Sequence, residues 1–516
     1  MSEEKKWEPI YDYENESPYV RPNRIWNKYK PADIPKTIKF DPISINDYIR
    51  QVSEDYPNNV AIYFVPTDKK YTYRDVFWYA DKISNGLYNE LGVKKGSSVA
   101  IMTSNRPEFI FSIFGITQCG AAATPINPLL KESDVVHIVR DAGNINTVFC
   151  HSDNYRTIKR AREKVEIENV ILLGALKPKG DAILFEDFVK DKEPKPPKVE
   201  IDPLNDIAAL LYTGGTTGLP KGVMLTHNNL IADALCTMGI AKNRYEEEIG
   251  KIASVTVLPI CHTFGFEVVI ISLSAAAMMI MYTSFDAGEI LRAIETYKLR
   301  GFVGVPVMFQ MLVNHPDFTK RDLSSLESAG SGSAALPPEI SRRWEEVTGV
   351  KMGQGYGLTE ASPITHTQPE WLPEKRVDSI GVPIIDTDAK IVDPATLEEL
   401  PSGQVGEMLI KGPQIMKGYW KKPEATAKTI TPDGWLRTGD LARMAKDGYF
   451  YIEGRTKDMV KYKGYKVMPR EVEEKLYEHP AVLEVGVVGV PDPVICETIK
   501  AFIVLRKAPL SNHFTS

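Results

Sequence analysis

The chain has 516 residues, 43% hydrophobic and 25% charged, with a net charge of −6. That length exceeds one ordinary core and implies several domains or subdomains, and the composition excludes a disordered chain. The acidic balance leaves no broad basic face of the kind nucleic acid requires.

The N-terminus is charged and aromatic and lacks the apolar core of a secretory signal. The first forty residues, rich in Pro, Tyr and Lys, read as an extended arm. From Ile43 onward, helical and strand patterns alternate. SINDYIRQVSEDYP has helical spacing, VAIYFV is a strand, and residues 71–93 form a long amphipathic helix stopped by Gly92. SSVAIMTSN is a buried strand and 106–120 a helix. NTVFCHS, ENVILLG, VTVLPI and FVGVPV repeat the short buried-strand pattern. This alternation predicts an α/β architecture with largely parallel sheets. The most apolar stretch, 268–282, is shorter than the roughly 20 residues a membrane-spanning helix needs, and reads as a buried helix running into a buried strand. Peripheral membrane contact stays open. Residues 191–204 form a charged, Pro-rich linker. After Gly381 a β-rich meander begins, and from Asp458 the opening of a small α+β domain, with a helix from Pro469. Five cysteines, at 119, 150, 236, 261 and 496, show no CxxC or Cys/His metal spacing, which fits a reducing, cytoplasmic setting.

The chemistry concentrates after the strand candidate at 208–212, in TGGTTGLPKG. Gly214, Gly215 and Gly218 let the backbone turn tightly and present N–H groups to an anion. Thr213, Thr216 and Thr217 add hydroxyl donors, and Lys221 supplies a point charge for phosphate. The spacing does not fit GxxxxGK[ST], so the loop is not a Walker A motif. Gly/Thr turns are common, but a loop this dense in Gly, Thr and Lys is not.

This loop resembles the signature of the adenylate-forming superfamily: acyl-CoA synthetases, firefly-type luciferases and peptide-synthetase adenylation domains. The likeness runs from the arm to about Leu505, and is closest in look to medium- and long-chain fatty-acid–CoA ligases. It implies a large N-terminal domain, 1–455, of layered αβαβα sheets with a β-rich subdomain at about 381–455. A small, incomplete α+β C-terminal domain, 456–516, would follow. The implied reaction joins ATP and a carboxylic acid into an acyl-adenylate with Mg²⁺, then transfers the acyl group to CoA.

The resemblance assigns the rest of the site residue by residue. In QGYGLTE, Gln354, Gly355, Tyr356 and Gly357 would hold the nucleotide, with Tyr356 stacking on adenine. Thr359 would contact the α-phosphate, and Glu360 with Thr216 would ligate Mg²⁺; a flat ring, a hydroxyl and a hard oxygen suit those tasks. Asp440 would hold the ribose diol, Arg455 the ribose or phosphate, and Lys457 would be the hinge. His262, between a buried strand and an apolar helix, would gate the carboxylate, although a hydrogen-bonded core histidine reads equally well there. Catalytic roles fall to Lys221, Thr359, Glu360 and His262. The acyl pocket would comprise His262, Phe264, Gly330, Gly332 and Gly357. Short-acid activators carry a tryptophan at the position of Gly357; glycine is expected to leave that volume open for a medium- to long-chain or aryl acid. Gly464, Tyr465 and Lys466 would face CoA.

Relatives end in a Pro-x-x-x-x-Gly-Lys type motif whose lysine assists adenylation. Here RKAPLSNHFTS follows Leu505 instead, so impaired adenylation with ATP binding retained is expected. A non-catalytic ATP or acyl-adenylate binding protein and an aryl-CoA ligase remain alternatives. Homodimers are frequent in the superfamily, and a homodimer is left open.

Overall fold

The structure is a computed structural model describing residues 6–213, 219–241, 248–458, 460–462, 465–467, 469–477, 479, 481–492 and 496–505. It divides into two compact units, one of residues 1–388 and 411–436, the other of 389–410 and 437–516.

In the large unit, the elements that carry the site are, in chain order, β1 (Ile207–Thr213), β2 (Lys221–Thr226), α1 (His227–Gly239), α2 (Thr263–Ser274), β3 (Gly301–Gly304), β4 (Ser328–Ser331), β5 (Met352–Gln354), β6 (Tyr356–Gly357), β7 (Ile364–Thr367) and β8 (Gly418–Tyr419). An eight-stranded sheet runs in the order β8, β2, β1, Ala122–Pro125, Ser98–Met102, Ile145–His151, Asn169–Leu173, Ile183–Leu184. It is parallel from β1 onward and antiparallel through β2 and β8. A second sheet of Ala253–Thr256, Met278–Met281 and Val60–Phe64 is parallel with Lys69–Thr72 antiparallel on its edge. β3, β4 and β5 form a parallel three-stranded sheet, and β6, β7 and Val382–Pro383 an antiparallel one.

Strand alternation builds the layers. Val99 and Ile101 point into a core with the helices Tyr73–Asn89, Pro107–Gln118, α1 and α2, while Ala100 and Met102 join a second core with the helices Glu132–Ala142 and Tyr155–Arg162. In the second sheet Met279 and Met281 face the first of these cores and Ile280 a third, with Phe309 and Trp344. One helical layer therefore serves two sheets, each covered again outside, which is the αβαβα arrangement expected. Among the described residues no helix is long and apolar enough to cross a membrane.

Three element boundaries differ from the sequence reading. The helix expected over 71–93 spans Tyr73–Asn89, because Thr72 caps it reciprocally with Asp75 and closes the strand Lys69–Thr72. The strand in VTVLPI ends at Thr256. Beyond it, the Asn105 amide donates to Leu258 O and accepts from Ile260 N, both at 2.9 Å, so a side chain replaces strand pairing. In FVGVPV the strand stops at Gly304, and Pro306 opens the helix Pro306–Asn314.

The small unit holds the sheet of Asp388–Val392, Val405–Lys411, β9 (Leu436–Met444) and β10 (Phe450–Arg455), whose outermost residues Asp388, Lys411 and Leu436 are counted in the large unit. It also holds a four-stranded sheet from Tyr465–Val467, Val460–Tyr462, Cys496–Leu505 and Val482–Asp492, and the helix Pro469–Tyr477.

Candidate active site

β1 and β2 are antiparallel neighbours, and Thr213 pairs with Lys221 at the open end of the pair. The predicted phosphate loop joins these strands; its Gly214, Gly215, Thr216, Thr217 and Gly218 lie outside the described residues. The loop's far side is anchored where the His137 ring meets Pro220 O at 2.8 Å. The Lys221 ammonium lies 4.9 Å from the centre of the Tyr419 ring, a cation–π contact.

Tyr419 comes from β8, which pairs with β2 through Val223. Its hydroxyl donates to Glu360 Oε1 at 2.7 Å, and the Met416 amide donates to Glu360 O at 2.9 Å. Burial, then the adjacent Glu360 charge, raises the phenol's pKa, so it stays a donor at neutral pH. Tyr419 thus links Lys221 and Glu360, and sequence reasoning missed it. The only local signal is the run Gly418, Tyr419, Trp420; the partnership spans 59 positions.

The 356–360 motif is set by the β6–β7 pairing, which slips register between Tyr356, opposite His366, and Gly357, opposite Ile364. Tyr356 meets the His366 ring edge-on at 6.0 Å. The Thr263 hydroxyl donates to Thr359 Oγ1 at 3.0 Å, tying the motif to the first turn of α2. Gln354 is buried and accepts from Leu336 N at 2.9 Å.

A cavity of about 970 Å³ gathers most of the predicted residues of this unit: Thr213, His262, Phe264, Gly330, Gly332, Gln354, Gly355, Tyr356, Gly357 and Thr359 all line it. Lys221 and Glu360 are not among its lining residues. Thr237, Ile240 and Trp371 extend the wall, and the Trp371 indole donates to Ile240 O at 3.1 Å. His262 precedes α2, open to the cavity on one side, with Nε2 at 3.2 Å from Asn127 Nδ2. Partial burial lowers its pKa. A neutral ring accepting from the Asn127 amide carries its proton on Nδ1. Asn127 too was not anticipated.

The glycines of the wall differ in kind. Val303, Gly330 and Gly353 lie in register across β3, β4 and β5. A Cβ at Gly330 would touch only Val303, at 3.6 Å, and one at Gly332 would meet the Phe264 ring at 3.3 Å. At Gly357 a Cβ would strike Pro363 O at 2.0 Å. This corrects the expectation for Gly357: it lines the cavity, but its side-chain direction is filled by the backbone leading into β7. Close approach of that backbone, not a missing ring, explains the glycine.

Asp440 and Arg455 lie in the small unit, opposite each other on β9 and β10, with Arg455 Nε at 3.1 Å from Asp440 Oδ1. Lys457 occupies the turn after β10. Gly464 lies outside the described residues; Tyr465 and Lys466 belong to the strand Tyr465–Val467, paired with Val460–Tyr462.

The family model for AMP-binding enzymes matches residues 49–420, and that for the AMP-binding enzyme C-terminal domain matches 471–515. The chain belongs to the AMP-binding enzyme family. A long-chain-fatty-acid–CoA ligase from Bacillus subtilis is 38% identical, over 95% of this chain and 90% of that protein. ATP-bound MatB from Rhodopseudomonas palustris superimposes with a TM-score of 0.81 at 28% identity, over 91% of this chain and 90% of that one. A long-chain-fatty-acid-CoA ligase from Archaeoglobus fulgidus gives 0.73 at 27%, over 91% and 92%. This family member is thus an adenylate-forming enzyme of the acid–thiol ligase, AMP-forming acyl-CoA synthetase class. The C-terminal match corrects another expectation: that domain is recognised through residue 515, so impaired adenylation has no support.

Proposed function

We propose that this family member activates a medium- to long-chain fatty acid with ATP and passes the acyl group to CoA, releasing pyrophosphate and then AMP. The observation that carries this reading is the cavity of about 970 Å³, which runs from Tyr356 and Thr359 to the shallow wall of Gly330 and Gly353. The nucleotide takes the Tyr356 and Thr359 end of that cavity, and the wall of Gly330, Gly332 and Gly353, without side chains, suits an extended chain better than acetate, each buried methylene contributing about 0.8 kcal/mol.

In this reading Tyr356 stacks on the purine and Asp440 and Arg455 take the ribose. Thr359 and Lys221 meet the phosphates as the substrate carboxylate attacks the α-phosphorus. Catalysis is positioning and charge neutralisation, with no protein nucleophile. Glu360, fixed at one oxygen by Tyr419, would hold Mg²⁺ through its other oxygen, a hard donor suited to that ion, and Thr216, outside the described residues, would be the second ligand. Mg²⁺ would supply charge neutralisation at the phosphates. Neutral His262, steadied by Asn127, borders the carboxylate. Lys457 serves as the hinge, and Gly464, Tyr465 and Lys466 as the CoA side, of a two-state cycle.

Pyrophosphate release over a panel of acetate, octanoate, hexadecanoate and an aryl acid, with and without CoA, tests the reading. Release should rise with chain length and acyl-CoA should form. Acetate as best substrate would overturn the chain-length claim, and no release with any acid would leave a nucleotide-binding protein.

A further inference from the structure

The cavity extends beyond the residues that the reaction uses, and two hydrogen bonds show which way it runs. Asp233 Oδ2 on α1 accepts from Ile364 N at 3.2 Å, at the start of β7, where Ile364 pairs with Gly357. Seven residues later on both segments, the Trp371 indole donates to Ile240 O at 3.1 Å. α1 and the chain from Ile364 to Trp371 therefore leave the 356–360 motif side by side. At 1.5 Å per helical residue, the second bond lies about 10 Å from the first. Thr237, Ile240, Ile364 and Trp371 all line the cavity, so its far end reaches this clasp.

Among the described residues, the N-terminal arm closes that end. Pro31 and Ile34 line the cavity, and Ile34 is 5% exposed in the same apolar core as Ile240, with Trp371 packed against it. A turn fixes the segment, with Ile34 N donating to Pro31 O at 3.1 Å. A Cβ on Gly239 of α1 would strike Ile38 of the arm at 2.6 Å, so the arm lies directly on the last turn of that helix.

What lies past Ile34 is polar. Pro31 and Ile34 also line a second cavity, of about 210 Å³, whose walls include Glu16, Lys30, Lys36 and Asp386. The arm is thus a thin partition between an apolar cavity end and a charged one. An alkyl chain pushed through it would strip water from those charges without pairing them. Glu370 and Lys375, paired to each other, also line the large cavity, and the Glu370 side chain is 64% exposed. A chain leaving beside them would enter solvent and gain no burial.

We propose that Ile34 of the arm and Trp371, locked to Ile240, form the floor of the acyl cavity and set the chain length beyond which further methylenes add nothing to specificity. The proposal deepens the fatty-acid reading and rests on it for its kinetics; a binding measurement reads the floor without turnover.

The test uses the full chain in pyrophosphate release with saturated acids from octanoate to eicosanoate. In wild type kcat/KM should climb by up to about fourfold per methylene until the chain reaches the floor, and then stop rising. Ile34→Phe should bring that break to acids shorter by about two methylenes. It should lower kcat/KM for the longest good acid roughly tenfold, with octanoate within about twofold of wild type. Trp371→Ala should move the break to longer acids, and supplies the readout should I34F not fold. A purely structural role would scale all acids alike. Binding is read through Trp371 emission, taken as wild type minus Trp371→Phe. Acids brominated at the terminal carbon should quench it, more as the chain lengthens, and 2-bromo acids should not. A break unmoved in every variant that folds, or quenching that is absent or equal for the two bromo series, would overturn the floor. If wild type releases no pyrophosphate with any acid, the ligase reading fails and the quenching alone decides the floor.

Discussion

The two regions that carry predicted nucleotide-binding residues are built differently. In the large unit, Thr359 and Glu360 each take a hydrogen bond from a distant element, from Thr263 on α2 and Tyr419 on β8. In the small unit, Asp440 is buried, but the Arg455 side chain that bridges to it is 59% exposed. A carboxylate fixed by a buried phenol is preorganised before substrate arrives, whereas an exposed guanidinium on a strand end is ordered at little energetic advantage. The first region should therefore be intolerant of single changes and the second lenient.

Glu360→Gln gives the largest expected effect. It removes the charge proposed for Mg²⁺ yet keeps an oxygen for Tyr419, so the fold survives. ATP–pyrophosphate exchange should drop roughly 10²- to 10³-fold, as for loss of one preorganised electrostatic group, while the melting temperature barely moves. Activity within a few-fold of wild type would break the contrast at its strongest point. Tyr419→Phe comes next. It keeps the ring over Lys221 and deletes only the bond to a charged acceptor, a loss of about 1.5–3 kcal/mol. kcat/KM for ATP should fall roughly 10- to 100-fold, and more Mg²⁺ should be needed to reach half-maximal rate.

The glycines sharpen the contrast within the large unit. Gly357→Ala drives a methyl against Pro363 O, 2.0 Å away. It should destabilise the chain by about 1–3 kcal/mol, the usual range for overpacking, read as a lower denaturation midpoint. Gly330→Ala meets only Val303 at 3.6 Å and should be nearly silent. Gly330→Leu adds a four-carbon side chain, enough to displace about two chain methylenes with half of it lying against Val303. It should shift preference from hexadecanoate toward octanoate by roughly tenfold, and an unchanged profile would remove Gly330 from the acyl wall.

What the sequence showed and hid follows the range of the interactions. Strand–helix alternation was legible because each strand sends successive residues to opposite cores, as Val99 and Ala100 do. The 213–222 loop and the 356–360 motif were legible as contiguous runs. Tyr419 and Asn127 were not, because each meets its partner across a sheet or between loops: Tyr419 through the β2–β8 pairing, Asn127 at 135 positions from His262. Gly357 was read for the space it leaves, when the nearby turn of chain had already taken that space.

Arg455→Ala carries the smallest expected effect and probes the other side of the comparison. A pair in which one partner is 59% exposed is screened by solvent and contributes roughly 0–1 kcal/mol. Thermal stability should therefore stay within that margin, well below the loss at Gly357. Asp440 is buried and would keep its place, since its amide is held at 3.1 Å by the Thr438 hydroxyl and the flanking Arg437 is paired to Glu407. The KM for ATP should rise only several-fold, because an exposed guanidinium must be ordered before it can help a nucleotide, and that ordering offsets much of the bond it makes. A stability loss as large as that of Gly357→Ala would show that Arg455 is structural and that the small unit is built as tightly as the large one.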